Sequence, residues 1–138
     1  MRYMPREWKL LLVGGSTGVS IDPAVFYDNF SIQFCSPTLH PGNYLQIADC
    51  TIHPSKSEGF GLSVVESIVF GRPTVAHRVG ILNECDLATT VDLPCSPRHY
   101  ARAILKASAD SEKSSSDQQR AIEMFSVEQF SEKWKAIL

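Results

Sequence analysis

Between His53 and His77 the sequence reads "HPSKSEGFGLSVVESIVFGRPTVAH", which sets Glu58 and Glu66 eight residues apart with Gly59 and Gly61 between them. Glycines let a backbone come close to an anion, and the start of a helix offers unpaired N–H groups and a partial positive charge. If the intervening chain is mostly helical, the two carboxylates stand at most ~12 Å apart along the axis, so one ligand longer than a bare phosphate could touch both. A carboxylate accepts paired hydrogen bonds from vicinal hydroxyls. Residues of these types in this order fit a diphosphate bearing a sugar at each end. A plainer reading stands beside it: a Glu in the first turn complements the helix dipole, and a Glu in mid-helix is usually solvated.

These residues need a strand, a loop and a helix to carry them, and the flanking sequence supplies all three. "CTIHPS" reads as a strand ended by Pro54, and "GLSVVESIVFG" as a helix with Leu62, Val65, Val69 and Phe70 on overlapping apolar faces, stopped by Gly71 and Pro73. "PTVAH" is the next strand. Upstream, "WKLLLV" from Trp8 to Val13 and "SIQFC" from Ser31 to Cys35 read as strands. Asp22 and Pro23 could open a helix of a turn or two between them, and "PGNYLQIAD" spaces Tyr44, Leu45 and Ala48 as one helical face. Downstream, "ATTVDLP" predicts a last short strand, and "SPRHYARAILKASA" an amphipathic helix capped by Ser96 with Pro97 at its first position. The polar run "DSEKSSSDQQ" reads as a loop or a frayed helix start. "FSVEQFSEKWKAIL" closes the chain with Ser126 and Gln129 as a capping pair and an apolar stripe over Phe130, Trp134, Ile137 and Leu138. Strands alternating with helices predict an α/β fold, a Rossmann-like doubly wound parallel sheet covered on both faces.

A chain of 138 residues, 43% hydrophobic, is long enough for one compact domain with a core, so residues 1–138 are expected to form a single domain in which 110–138 is a C-terminal helical segment. Thirteen Lys and Arg against fifteen Asp and Glu leave a net charge of −2, which excludes the global positive field that gathers nucleic acid or anionic lipid. Any anion must be held locally. No apolar run approaches the roughly 20 residues that span a bilayer, and the first residues lack the apolar core of a signal peptide, so a soluble cytoplasmic protein is expected. Cys35, Cys50, Cys85 and Cys95 show no metal-ligand spacing and read as reduced and mostly buried. His53 and His77 each end a strand beside apolar residues and read as core or rim histidines rather than bases; His40 and His99 lie in polar surroundings.

"PSKSEGFGLSVVESIVFGRPTVA" resembles the E-x7-E signature of the family 4 (group 1) retaining glycosyltransferases, with Pro-Ser, both glutamates, Gly-Phe-Gly-Leu and Gly-x-Pro in register. Weaker similarity extends from "WKLLLVGG" through "YLQIADCTIHPS" to "FSVEQFSEKW". The resemblance implies the nucleotide-sugar-binding C-terminal half of a GT-B fold, in which two Rossmann-like domains face each other across a cleft. By the same resemblance, Glu58 would contact the transferred sugar and lie beside the reacting centre. The amides around Gly59, Phe60, Gly61 and Leu62 would hold the diphosphate, Glu66 the ribose, and the turn at Ser36 and Pro37 the base. The implied reaction retains configuration at the anomeric carbon and needs no metal cofactor, and the chain has no Asp-x-Asp motif.

The chain also departs from the resembled pattern. That domain normally begins with a further strand and helix carrying an Arg and a Lys against the diphosphate, and the sequence starts after them, as it does after the acceptor-binding N-terminal domain. Lys56, Arg72 and Arg78 are the cations nearby in sequence; a charge in a loop is more often solvated, and that reading of Lys56 stands ahead of one in which it reaches the phosphates. Ile81 stands where a second glycine is usual, and Glu84 reads as a helix-start carboxylate. Three readings follow. One is the donor-binding half of a hexosyltransferase-type enzyme, incomplete or inactive alone, whose missing half is another domain or a partner subunit and is the only route to peripheral membrane association. The second is a nucleotide-sugar-binding or interaction module without catalysis. The third is a truncated remnant that forms a homodimer through an exposed strand edge.

Overall fold

The computed structural model describes residues 4–5, 7–14 and 31–135. The helix expected at Asp22 and Pro23 lies outside the described residues, as do Ile137, Leu138 and the side chains of Phe130 and Trp134 in the closing stripe. Among the described residues, five strands run in chain order as β1 (Lys9–Val13), β2 (Ser31–Cys35), β3 (Thr51–His53), β4 (Thr74–His77) and β5 (Thr89–Val91). Five α-helices accompany them there: α1 (Gly42–Ile47), α2 (Leu62–Val69), α3 (Pro97–Ala109), α4 (Ser111–Met124) and α5 (Val127–Lys135).

Every described pairing is parallel, as the alternation of strands and helices requires, but the strands form two sheets. β1 pairs with β2, with Lys9 opposite Ser31 and Val13 opposite Cys35; β4 lies between β3 and β5 in a separate sheet of three. The central strand β4 is buried along its whole length, which explains its continuous apolar reading. Its side chains alternate between faces. Ala76 joins Val64 and Ile68 of α2, Leu82, Leu87 and Ala121 of α4 on one face. Val75 joins Val91 of β5 and Ile104 and Ala107 of α3 on the other, with Trp8 and Ile52 packed alongside. Ile68 is 1% exposed, and its truncation to Ala would cost about 2–5 kcal/mol.

Four expectations need correction. The polar run after Ala109 is neither a loop nor a frayed start but the 14-residue helix α4, capped by the Asp110 carboxylate accepting from the Lys113 N–H. Helix α2 turns Val64, Val65, Ser67 and Ile68 inward and leaves Leu62 and Phe70 exposed, so of the predicted apolar face only Val65 is buried. Glu84 begins no helix; it follows the 3-10 turn Gly80–Asn83, and its N–H donates to the Ile81 carbonyl. The four cysteines are free, as expected, but each is half-buried rather than buried. No helix among the described residues is long and apolar enough to cross a membrane.

Candidate functional site

The parallel pairing puts the carboxyl ends of β3, β4 and β5 along one edge of their sheet, the edge where open α/β sheets hold ligands. From β3 the chain passes through Pro54 and the loop 55–61 into α2. Gly61 is the N-cap residue, at φ 94 in the left-handed region that a side chain disfavours, and no side chain caps the helix. The N–H groups of Val64 and Val65 return to the Gly61 carbonyl, while those of Leu62 and Ser63 have no partner among the described residues. A Cβ placed on Gly59 meets no atom within 4 Å, and its φ lies outside the left-handed region. Neither packing nor backbone conformation accounts for glycine there.

The loop is held from the segment that follows β4. The Ile81 N–H donates to the Phe60 carbonyl at 2.8 Å, and Gly80, at φ 57, lies so close that a Cβ on it would stand 2.6 Å from that oxygen and 3.0 Å from the Glu58 Cβ. His77 is buried; its Nδ1 lies 3.0 Å from the Ser55 carbonyl oxygen and its Nε2 3.4 Å from the Cys95 Sγ. The Tyr100 ring stands edge-on to the His77 imidazole with centroids 5.2 Å apart. The other histidine of the stretch, His53, fastens α2 through two serines, its Nδ1 lying 3.5 Å from the Ser63 hydroxyl and its Nε2 beside that of Ser67. The Ser67 hydroxyl donates to the Ser63 carbonyl at 2.8 Å, so it accepts from the His53 Nε2–H at 3.1 Å. Burial pushes the His53 imidazole below its usual pKa, with the Glu58 charge acting in the opposite direction. Both strand-end histidines are therefore fully bonded groups within the scaffold, as their sequence context suggested.

Of the residues singled out by sequence, Glu58, Gly59, Phe60, Gly61, Leu62 and Glu66 lie on one continuous loop and helix. Glu58 and Glu66 are each half-buried. Glu66 lines an open apolar groove of about 570 Å³ with Phe60, Leu62, Val69, Phe70, Met124 and Phe125. The rings of Phe60 and Phe125 meet edge-on there, 5.6 Å apart. Ser36 and Pro37 are exposed just beyond β2, on the other sheet, and no hydrogen bond among the described residues joins them to the Glu58–Glu66 segment.

Two of the three cations named from sequence are engaged elsewhere. Arg78 binds the Asp92 carboxylate at 3.1 Å and the Thr90 hydroxyl at 2.6 Å. Arg72 donates to the Phe70 and Ala48 carbonyls. Lys56 is exposed in the loop and has no ion-pair partner among the described residues. No group of three or more His, Cys, Asp or Glu converges to hold a metal among the described residues. Sequence reading missed His77, Gly80 and Ile81 as the residues that hold the loop; the signal for Gly80 was a glycine directly after a buried strand, where a close backbone approach is the usual cause.

Residues 28–124 match the family described as "Glycosyl transferases group 1". Among solved structures, Anabaena HepE in complex with UDP-glucose is 20% identical with a TM-score of 0.74, over 96% of this chain and 42% of that one. WaaG, described as a glycosyltransferase involved in lipopolysaccharide biosynthesis, is 19% identical with a TM-score of 0.66, over 91% of this chain and 36% of its own. TarM is 22% identical with a TM-score of 0.62, over 78% of this chain and 23% of its own. The chain thus spans less than half the length of the structures it matches, and its fold is that of their Rossmann-like GT-B domains. No curated protein matches the sequence.

Proposed function

The chain belongs to the group 1 glycosyl transferases, and on that premise we propose that it is the donor-binding domain of a retaining, hexosyltransferase-type enzyme that takes a sugar from a nucleotide-diphosphate-sugar. The amides of Gly59, Phe60, Gly61 and Leu62 bind the diphosphate at the uncapped start of α2. Glu66, one helical segment on, accepts from the ribose hydroxyls, and Glu58 accepts from the sugar being transferred, beside the anomeric carbon. Ser36 and Pro37 face the base. As the glycosidic bond to the diphosphate breaks, negative charge grows on the leaving oxygens, and fixed dipoles aimed at them lower the barrier. Lys56 adds a cation at the loop, and no metal takes part. The acceptor is held by a further domain or a partner subunit.

The observation that carries this reading is Gly59. Its side-chain space is empty and its backbone does not require glycine, so the residue type fits a ligand pressed against the loop rather than a neighbour in the fold. The test is sugar transfer by the protein together with its acceptor-binding half. Transfer should be lost on Glu58→Ala; undiminished transfer in that variant would remove the role given to Glu58.

A second reading is favoured by the engagement of Arg72 and Arg78 with carbonyls, Thr90 and Asp92. Two of the cations available to a departing diphosphate are committed elsewhere, which suits a module that binds a nucleotide-sugar without transferring it. Calorimetric titration with UDP and GDP bears on both readings, since no binding at millimolar nucleotide would count against each. A second copy of the chain is the remaining alternative, and light scattering distinguishes monomer from dimer.

A further inference from the structure

We infer that His77 is the positioning residue for the loop that carries Glu58, and that Cys95 fixes the ring state in which it acts. Ser55 lies two residues beyond β3, His77 is the last residue of β4, and Cys95 lies four residues beyond β5. Two hydrogen bonds, from Cys95 to His77 and from His77 to Ser55, therefore cross the carboxyl ends of all three strands.

The chemistry of the partners assigns the tautomer. A carbonyl oxygen only accepts, so the His77 proton sits on Nδ1 and is donated to Ser55. Nε2 is then an acceptor, and the Cys95 thiol is its donor at 3.4 Å. Both ring nitrogens have a partner at 5% exposure. The ring's plane is set by the edge contact with Tyr100, whose own hydroxyl donates to the Val75 carbonyl at 3.3 Å.

The loop is fixed at its two ends by one downstream segment. His77 holds Ser55 and Ile81 holds Phe60, and no other backbone hydrogen bond among the described residues reaches residues 56–59 between them. Glu58 sits in the middle of that span. Releasing the His77 end lets the carboxylate drift while the sheet beneath stays paired. That such drift matters to a donor rests on the proposed function above; the hold itself does not.

The test is backbone amide relaxation by NMR of the full 138-residue chain, comparing wild type with His77→Asn and His77→Gln. The Asn amide places an N–H where Nδ1–H stands, whereas the Gln amide places it toward the Nε2 position. Order parameters of the amides at 55–60 should fall from about 0.85 to below about 0.6 in the Gln variant, with much of the order restored in the Asn variant. Amides of β4, β5 and α3 should be unchanged in both. Cys95→Ser keeps a donor to Nε2 and should leave the loop ordered, and Cys95→Ala should not. Equal loop order in the Asn and Gln variants, or a uniform fall through β4, β5 and α3, would overturn the inference by showing ordinary packing. A parallel titration with UDP and GDP separates the two proposals: absence of nucleotide binding in wild type, with the pattern of order parameters intact, counts against the donor reading alone.

Discussion

The N–H of Ile81 donates to the carbonyl oxygen of Phe60 at 2.8 Å, an approach allowed only because Gly80 beside it has no side chain. A methyl there would stand 2.6 Å from the same oxygen, on a backbone at φ 57. Gly80→Ala is expected to cost about 1–3 kcal/mol through left-handed strain and the displaced loop together. Urea denaturation gives the magnitude, and exchange of the Ile81 amide shows whether the loss begins at this contact. A variant as stable as wild type would mean that the loop yields without cost.

Gly59→Ala should behave in the opposite way. The added methyl meets no atom of the protein within 4 Å, so the thermal midpoint should stay within a degree or two of wild type. If the space belongs to a diphosphate, affinity for nucleotide diphosphates should fall by about tenfold or more, since displaced charge-assisted hydrogen bonds are worth at least ~1.4 kcal/mol. Calorimetry on both proteins decides it, and equal affinities would move the diphosphate away from this residue.

His53 gives a pH dependence of defined sign. Burial lowers its folded-state pKa below the unfolded value of 6.5, so under acid conditions the unfolded chain binds a proton that the folded chain resists. Stability should therefore fall as the pH drops below about 6.5, with a slope of at most ~1.4 kcal/mol per pH unit, and level off below the folded value. Above neutrality this contribution is flat. His53→Gln retains a donor to Ser67 and removes the titration. The difference in unfolding free energy between the two proteins, followed from about pH 7.5 to 5, should narrow or reverse in favour of Gln as the pH falls.

Much of the site was legible because it depends on local rules. Pro54 ends a strand, Gly61 opens a helix, Gly71 and Pro73 close it, and the two glutamates follow from counting. The missed features depend on contacts between distant segments. Helix α4 has almost no apolar periodicity, yet Asp117 accepts from the buried Ala88 N–H, Gln118 donates to the Val69 carbonyl, Ser114 to the Gly71 carbonyl and Arg120 to the Asp86 carbonyl. These polar side chains satisfy backbone groups 29 or more residues away, and nothing in a local window announces them. Helix α2 misled for a different reason. It is apolar over most of its circumference, so its spacing supports two faces equally well, and only the sheet beneath selects Val64 and Ile68 over Leu62 and Val69.

The division of the strands has a mechanical meaning. Ser36 and Pro37 ride on one sheet and Glu58 to Glu66 on the other, with no shared hydrogen-bond ladder to fix their spacing. The tie between them is apolar: Trp8, directly before β1, packs with Ile52 against the Val75 cluster of the second sheet. The spacing of the two segments therefore rests on side-chain packing rather than on backbone pairing, so a substitution that thins this contact would change the reach from Ser36 to Glu58 without breaking a single ladder hydrogen bond.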